Sequence, residues 1–111
     1  MTQKILLFLS CLFTVSILFS QKQNNSNSIN ISGKVVDTKT NQPLEYATII
    51  IKNTETEKVS GGITDLNGEF SIVMPKATYQ ISVAFISFES AKFPEEKITS
   101  NKYLGIIKLA E

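Results

Sequence analysis

Apolar and polar residues alternate in two different ways along this chain, and the change comes near residue 20. From Ile5 to Phe19 the run ILLFLSCLFTVSILF is almost entirely apolar, with Lys4 before it and the polar stretch Gln21–Asn30 behind it. A basic start, a central apolar run and a small residue at the polar boundary are the marks of a secretory signal peptide, with Ser20 as its last residue. A spanning helix takes about 20 apolar residues, more than this run supplies, so a retained anchor is the lesser alternative. Gln21–Ser28 (QKQNNSNS) is polar and aperiodic and reads as a flexible leader.

From Ile29 the period becomes two. Ile29, Ile31, Gly33 and Val35 alternate with Asn30, Ser32, Lys34 and Val36, the pattern of a half-buried strand. Further strands are expected over Ala47–Lys52, Val59–Thr64, Glu69–Met74, Thr78–Phe85 and Tyr103–Leu109. Gly61-Gly62 inside the third of these predicts a bulge or a close backbone approach. Asp65-Leu66-Asn67-Gly68 predicts a tight turn, because Asn and Gly both tolerate positive φ. The segment around Pro94-Glu95-Glu96 reads as a polar connection. No segment after the leader has a helical period. Roughly seven short strands with turn signals between them describe an all-β, antiparallel sandwich over residues 29–111. Its inward set is Ile31, Val35, Ile49, Ile51, Phe70, Ile72, Tyr79, Ile81, Val83, Phe85 and Ile107. Phe85 is expected deep enough in that core for Phe85→Ala to leave little folded protein.

Composition narrows the chemistry. All 11 basic residues are Lys and there is no His; with 10 acidic residues the formal charge is +1. Lys and Glu are interspersed, so no basic stripe marks a nucleic-acid partner. The single Cys, Cys11, sits in the middle of the apolar run rather than at its end, where a lipid-bearing Cys would stand, and reads as filler in the signal. Removal of residues 1–20 would leave 10 Lys against 10 acidic residues and no Cys. Such a domain holds together by core packing, without disulfides. Ser–His and Cys–His catalysis lack their base. Asp65, Asn67 and Glu69 at alternate positions resemble the start of a calcium loop, but its remaining ligands and spacing are missing, and the turn accounts for them. The pairs Glu55/Glu57 and Glu95/Glu96 and the amine of Lys76 fall in polar loops. No catalytic, cofactor-binding or metal residue is therefore assigned. The aromatics Tyr46, Phe88, Phe93 and Tyr103 either form a contact patch or cap the ends of the sandwich.

Four segments in order carry a resemblance: Ile31-Ser32-Gly33-Lys34-Val35-Val36-Asp37, then Pro43-Leu44-Glu45-Tyr46-Ala47-Thr48-Ile49, then Gly62 to Phe70, then Pro75 to Phe88. Together they resemble the carboxypeptidase regulatory-like domain, a transthyretin-like (Ig-like) β-sandwich, over nearly all of residues 29–109. The chain looks like the copy found at the N-terminus of TonB-dependent outer-membrane receptors of Bacteroidetes-type bacteria. There a signal peptide leads straight into this domain, and a plug and a large barrel follow. The resemblance implies a non-enzymatic accessory domain on the periplasmic side of the outer membrane, in a parent that takes up nutrients. It would use no cofactor, and its partners would be proteins, either the receptor's own plug and barrel or periplasmic proteins. An edge strand would accept a partner strand. The alternatives are a secreted binding or adhesion module working through loop tips such as Thr38–Pro43 and Asp65–Gly68, and a regulatory domain linked to a peptidase. Two features depart from the receptor pattern. Ser87-Phe88 stands where the family usually has Gly-Tyr, and the sequence stops at Glu111, where a plug would begin. On its own, a chain of 111 residues holds too few strands for a receptor barrel.

Overall fold

The computed structural model describes residues 27–111; the expected signal peptide and most of the leader lie outside the described residues. Eight strands follow in order: β1 (Ser28–Asp37), β2 (Thr48–Asn53), β3 (Val59–Ile63), β4 (Glu69–Pro75), β5 (Ala77–Ala84), β6 (Ala91–Lys92), β7 (Glu96–Ile98) and β8 (Lys102–Leu109). They form two sheets, one ordered β4-β1-β8 and the other β3-β2-β5-β6, with β7 also paired to β5. Every pairing is antiparallel except β1 with β8, which run parallel. The expected sandwich is present, and two of its strands were illegible: β6 and β7 have two and three residues, too short to show a period.

The period-two pattern sets the core. Along β1 the inward residues Ile29, Ile31 and Val35 are buried, and Gly33 lies opposite Phe70 across the ladder to β4. From the other sheet come Ile49, Ile51, Tyr79, Ile81 and Val83, with Ile51 and Val83 wholly shielded. Ile98, Ile107 and Leu109 complete the cluster. Tyr79 is the largest fully buried side chain; its hydroxyl donates to the Pro75 carbonyl at 2.6 Å, and burial raises its pKa above 10.0. Two expected core members lie further out. Ile72 and Phe85 pack against the cluster but stay partly exposed. Phe85 follows the last residue of β5, so its ring leans edge-on against Phe88 (centroids 5.3 Å apart) instead of lying beneath the opposite sheet.

Two backbone irregularities shape the surface. A Cβ on Gly61 would collide with the Ile49 carbonyl, which is the close approach that Gly61-Gly62 predicted. On β8 an extra residue enters the ladder: Ser32 faces Tyr103 and Lys34 faces Ile106. Tyr103 and Ile106, three positions apart, thereby share the outer face and are 65% and 61% exposed.

The difference between a shielded and a half-buried position is measurable. Ile51→Ala should cost about 2–5 kcal/mol, and Phe85→Ala clearly less than the roughly 3–5 kcal/mol of a fully buried ring. Urea unfolding of both variants checks this; an equal or larger loss at Phe85 would place that ring in the core after all.

Candidate interaction surface

Three connections meet at one end of the sandwich: Thr38–Ala47 between β1 and β2, Thr64–Gly68 between β3 and β4, and Phe85–Ser90 between β5 and β6. Thr64 ties the first two together. It is the one buried polar side chain among the described residues. Its hydroxyl donates to the Leu44 carbonyl at 2.5 Å and accepts the Ala47 amide at 2.8 Å. Its carbonyl accepts the Tyr46 amide at 3.1 Å, and its own amide donates to Ala47 at 3.0 Å. Four bonds from one residue thus fix Leu44–Ala47, which presents Glu45 and Tyr46 outward.

The Asp65–Gly68 turn abuts that loop. The Asp65 carboxylate accepts the amides of Asn67 and Glu69, both at 2.9 Å, and the Gly68 amide returns to the Asp65 carbonyl at 2.9 Å. Gly68 alone takes a positive φ, of 72°; Asn67 does not, so this is a type I turn closed by a left-handed glycine, not a pair of left-handed residues. A Cβ at Gly68 would also strike the Val35 carbonyl. Of the Asp65-Asn67-Glu69 triplet, Asp65 holds the turn with its carboxylate, whereas Asn67 and Glu69 take part through their backbone amides. Among the described residues no three acidic side chains gather where they would hold a metal ion.

The third connection is strained. Phe88 donates its amide to the Phe85 carbonyl at 3.0 Å, and Ser87 sits at φ 66°, the arrangement of a type II turn, whose third position favours glycine. Ile86 stands at the tip of this turn, 83% exposed. Tyr46 is also left-handed, at φ 64°, and 66% exposed. A left-handed non-glycine residue costs on the order of 1–3 kcal/mol and persists only where its surroundings enforce it. Tyr46 and Ile86 line one groove of about 520 Å³ with Glu45, Thr48, Ala84 and Phe85. Ile63 faces Thr48, and Thr48 faces Ala84, so Ile63 joins the same apolar band on the outer face, 59% exposed. Leu66, at the tip of the neighbouring turn, is 73% exposed.

The four aromatics therefore divide. Phe88 and Phe93 pack against the core as end caps, whereas Tyr46 and Tyr103 are exposed contacts. The loop tips Thr38–Pro43 and Asp65–Gly68 do converge: the Leu44 amide donates to Val35, and Pro43 lies against Gly68. The carboxylate pairs do not come together. Glu55 and Glu57 are exposed in the β2–β3 hairpin, and Glu96 pairs with Lys102 at 3.2 Å at the opposite end. Lys76 is exposed. Sequence reasoning missed Ile86 and Ile63, whose signal was an apolar residue at a turn position and at the solvent phase of an edge strand.

The free strand edges differ in character. β8 carries the bulge and Lys102 and Lys108, features that discourage pairing. β3 (VSGGI) has neither charge nor proline. The Lys58 carbonyl and the Thr64 amide bond towards β2, so by alternation the amides and carbonyls of Val59, Gly61 and Ile63 point away from it.

A family model described as the CarboxypepD_reg-like domain matches residues 31–109. The chain belongs to this family. CarboxypepD_reg-like domains are a non-catalytic domain type. No curated protein matches the chain. Among solved structures it is similar to 5-hydroxyisourate hydrolase of Klebsiella pneumoniae, a transthyretin-like fold, at 18% identity and TM-score 0.55, covering 71% of this chain and 89% of that one. It is also similar to 3-chlorocatechol 1,2-dioxygenase of Rhodococcus opacus 1CP, at 11% identity and TM-score 0.60, over 82% of this chain and 62% of that one. A chain of the type II cohesin–X-dockerin complex of Acetivibrio cellulolyticus aligns at 22% identity and TM-score 0.50, over 73% of this chain and 56% of that one. The domain thus spans less than two thirds of these last two chains. At such identities the likeness is one of fold.

Two substitutions test how the end is built. Thr64→Val should cost about 1–3 kcal/mol by orphaning the Ala47 amide, and should speed hydrogen exchange at Tyr46 and Ala47 ahead of the strands. Exchange unchanged at both amides would show the loop is held otherwise. Ser87→Gly restores the residue the turn favours and should stabilise the domain by up to about 1 kcal/mol in thermal unfolding; a destabilisation would contradict the strain assigned to Ser87.

Proposed function

We propose that this domain is a non-enzymatic accessory module of a TonB-dependent outer-membrane receptor, exported and held on the periplasmic side. The observation that carries the reading is the family match over residues 31–109 placed directly behind a leader with the composition of a signal peptide. The domain works by contact with proteins, in assembly of the receptor or in engagement of periplasmic partners. The uncharged β3 edge, with three residues directing their backbone groups outward, is the natural acceptor for a partner strand by β-augmentation. A second reading, a secreted module that stands alone, is favoured by the exposed apolar tips at the loop end.

Deletion of residues 29–109 from the chromosomal gene, with the leader kept, should lower the parent's level in the outer membrane or its substrate uptake. Immunoblots of fractionated cells, with an antibody against the region that follows, report the first; growth on the limiting nutrient reports the second. Unchanged level and unchanged uptake would count against the accessory role. An antibody against residues 29–109 that finds a domain-sized band in the periplasm or medium of wild-type cells would favour the module that stands alone.

A further inference from the structure

We infer that the loop end of the sandwich, centred on Tyr46 and Ile86, is a docking face, and that its occupant is the region of the parent chain that follows this domain, through an apolar patch bordered by Lys or Arg. This rests on the receptor reading above. Three independent observations support it.

The first is apolar exposure concentrated at one end. Tyr46 and Ile86 share a groove, Ile63 extends the band, and Leu66 projects from the adjoining turn. Ile86 is the most exposed large apolar side chain of the described residues, at 83%. The backbone beneath both tips is hydrogen-bonded: the Tyr46 amide donates to the Thr64 carbonyl, and the Phe88 amide closes the Ile86 turn on the Phe85 carbonyl. Ordered aromatic and apolar tips dock at a smaller entropic cost than mobile ones.

The second is the acidic balance of the three connections. Glu45, Asp65 and Glu89 are the acidic residues of the three connections and Lys39 their basic one, while Lys108 and Lys92 stand on the adjoining strands, opposite Val36 and Ser82. The one ion pair among the described residues, Lys102–Glu96, lies at the far end of the sandwich. A rim of carboxylates complements a basic rim on the partner and sets the orientation of docking.

The third is the path of the chain. The Glu89 amide donates to the Ala110 carbonyl at 2.7 Å, so the residues after β8 run beside the Ile86 turn. The start of β1 is at the other end, where the Lys76 amide bonds to Asn27. Any polypeptide continuing from Glu111 would start against the docking face, and a short tether gives its nearest apolar surface a high effective concentration there.

The test uses the full-length parent in isolated outer membranes, carrying one introduced cysteine at a time: Tyr46→Cys, Ile86→Cys, Val59→Cys or Val73→Cys. The mature domain has no cysteine of its own, and the unsubstituted parent supplies the background. All four positions are about equally open in the domain, at 66%, 83%, 61% and 69% exposure. Labelling by a maleimide–polyethylene glycol reagent is read as a gel shift, with each rate divided by that of the same variant in urea. The expected result is at least a tenfold lower relative rate at positions 46 and 86 than at 59 and 73. Relative rates alike at all four positions, in a band of receptor size, would overturn the docking face and leave the receptor reading standing. A band of domain size alone would overturn both. Protection at 59 instead of 46 and 86 would move the contact to the β3 edge and equally overturn the inference.

Discussion

The central position of β1 is the constraint on which the rest of the sandwich depends. It is the only strand that joins two partners in the smaller sheet, antiparallel to β4 and parallel to β8. Its inward residues Ile29, Ile31 and Val35 meet the β2 and β5 residues of the facing sheet, and a slip of one residue would turn all of them to solvent. With no cysteine in residues 21–111, nothing covalent backs up that register. Two devices at the end of β1 secure it instead: the Val35 amide is bonded to Gly68, and its carbonyl accepts the Leu44 amide. The Thr38–Ala47 and Thr64–Gly68 connections are thus extensions of the β1 register.

That dependence explains why strain is tolerated at Tyr46. A left-handed tyrosine would relax in a free loop, but its amide is pinned to Thr64, whose hydroxyl spans Leu44 and Ala47. Thr64 is itself placed by β3, and β3 by its antiparallel pairing with β2. The Tyr46 backbone is thereby coupled to the buried ladder through the hydrogen bonds of Thr64. Ser87 differs, since its strain is held by a single turn bond beside the Phe85–Phe88 ring contact. Glycine at that position would fit the turn better, so Ser87 is a local cost that leaves the fold unchanged.

Most of the fold was legible because its information is period-two burial, which a linear sequence carries openly. Ile31, Ile49, Ile51, Tyr79, Ile81 and Val83 stand where alternation places them. What escaped was set by interactions that have no period. The strands β6 and β7 exist because β5 offers them an edge, and two or three residues cannot announce that. Phe85 alternates in phase with the core, yet β5 ends before it, so phase alone overstated its burial. The β8 bulge shifts phase within a strand and turns both Tyr103 and Ile106 outward, which strict alternation cannot reproduce. The candidate surface was half legible: two of its loops were marked by turn residues, whereas Ile86 acquires its exposure only from the turn that closes behind it.

An exposed isoleucine alone is ordinary on a small protein. The loop end differs because its apolar tips are adjacent, stand on hydrogen-bonded backbone and lie on connections with more acidic than basic residues. Sandwich ends are where strand connections collect, so they vary in sequence with little effect on the core. In this domain two of the connections at one end are tied into the β1 ladder, and the third is bonded to the residues that follow β8. Backbone hydrogen bonding, apolar exposure and chain path each arise from a different feature of the fold. Their coincidence at one end is what distinguishes a face suited to docking from a surface merely left over by folding.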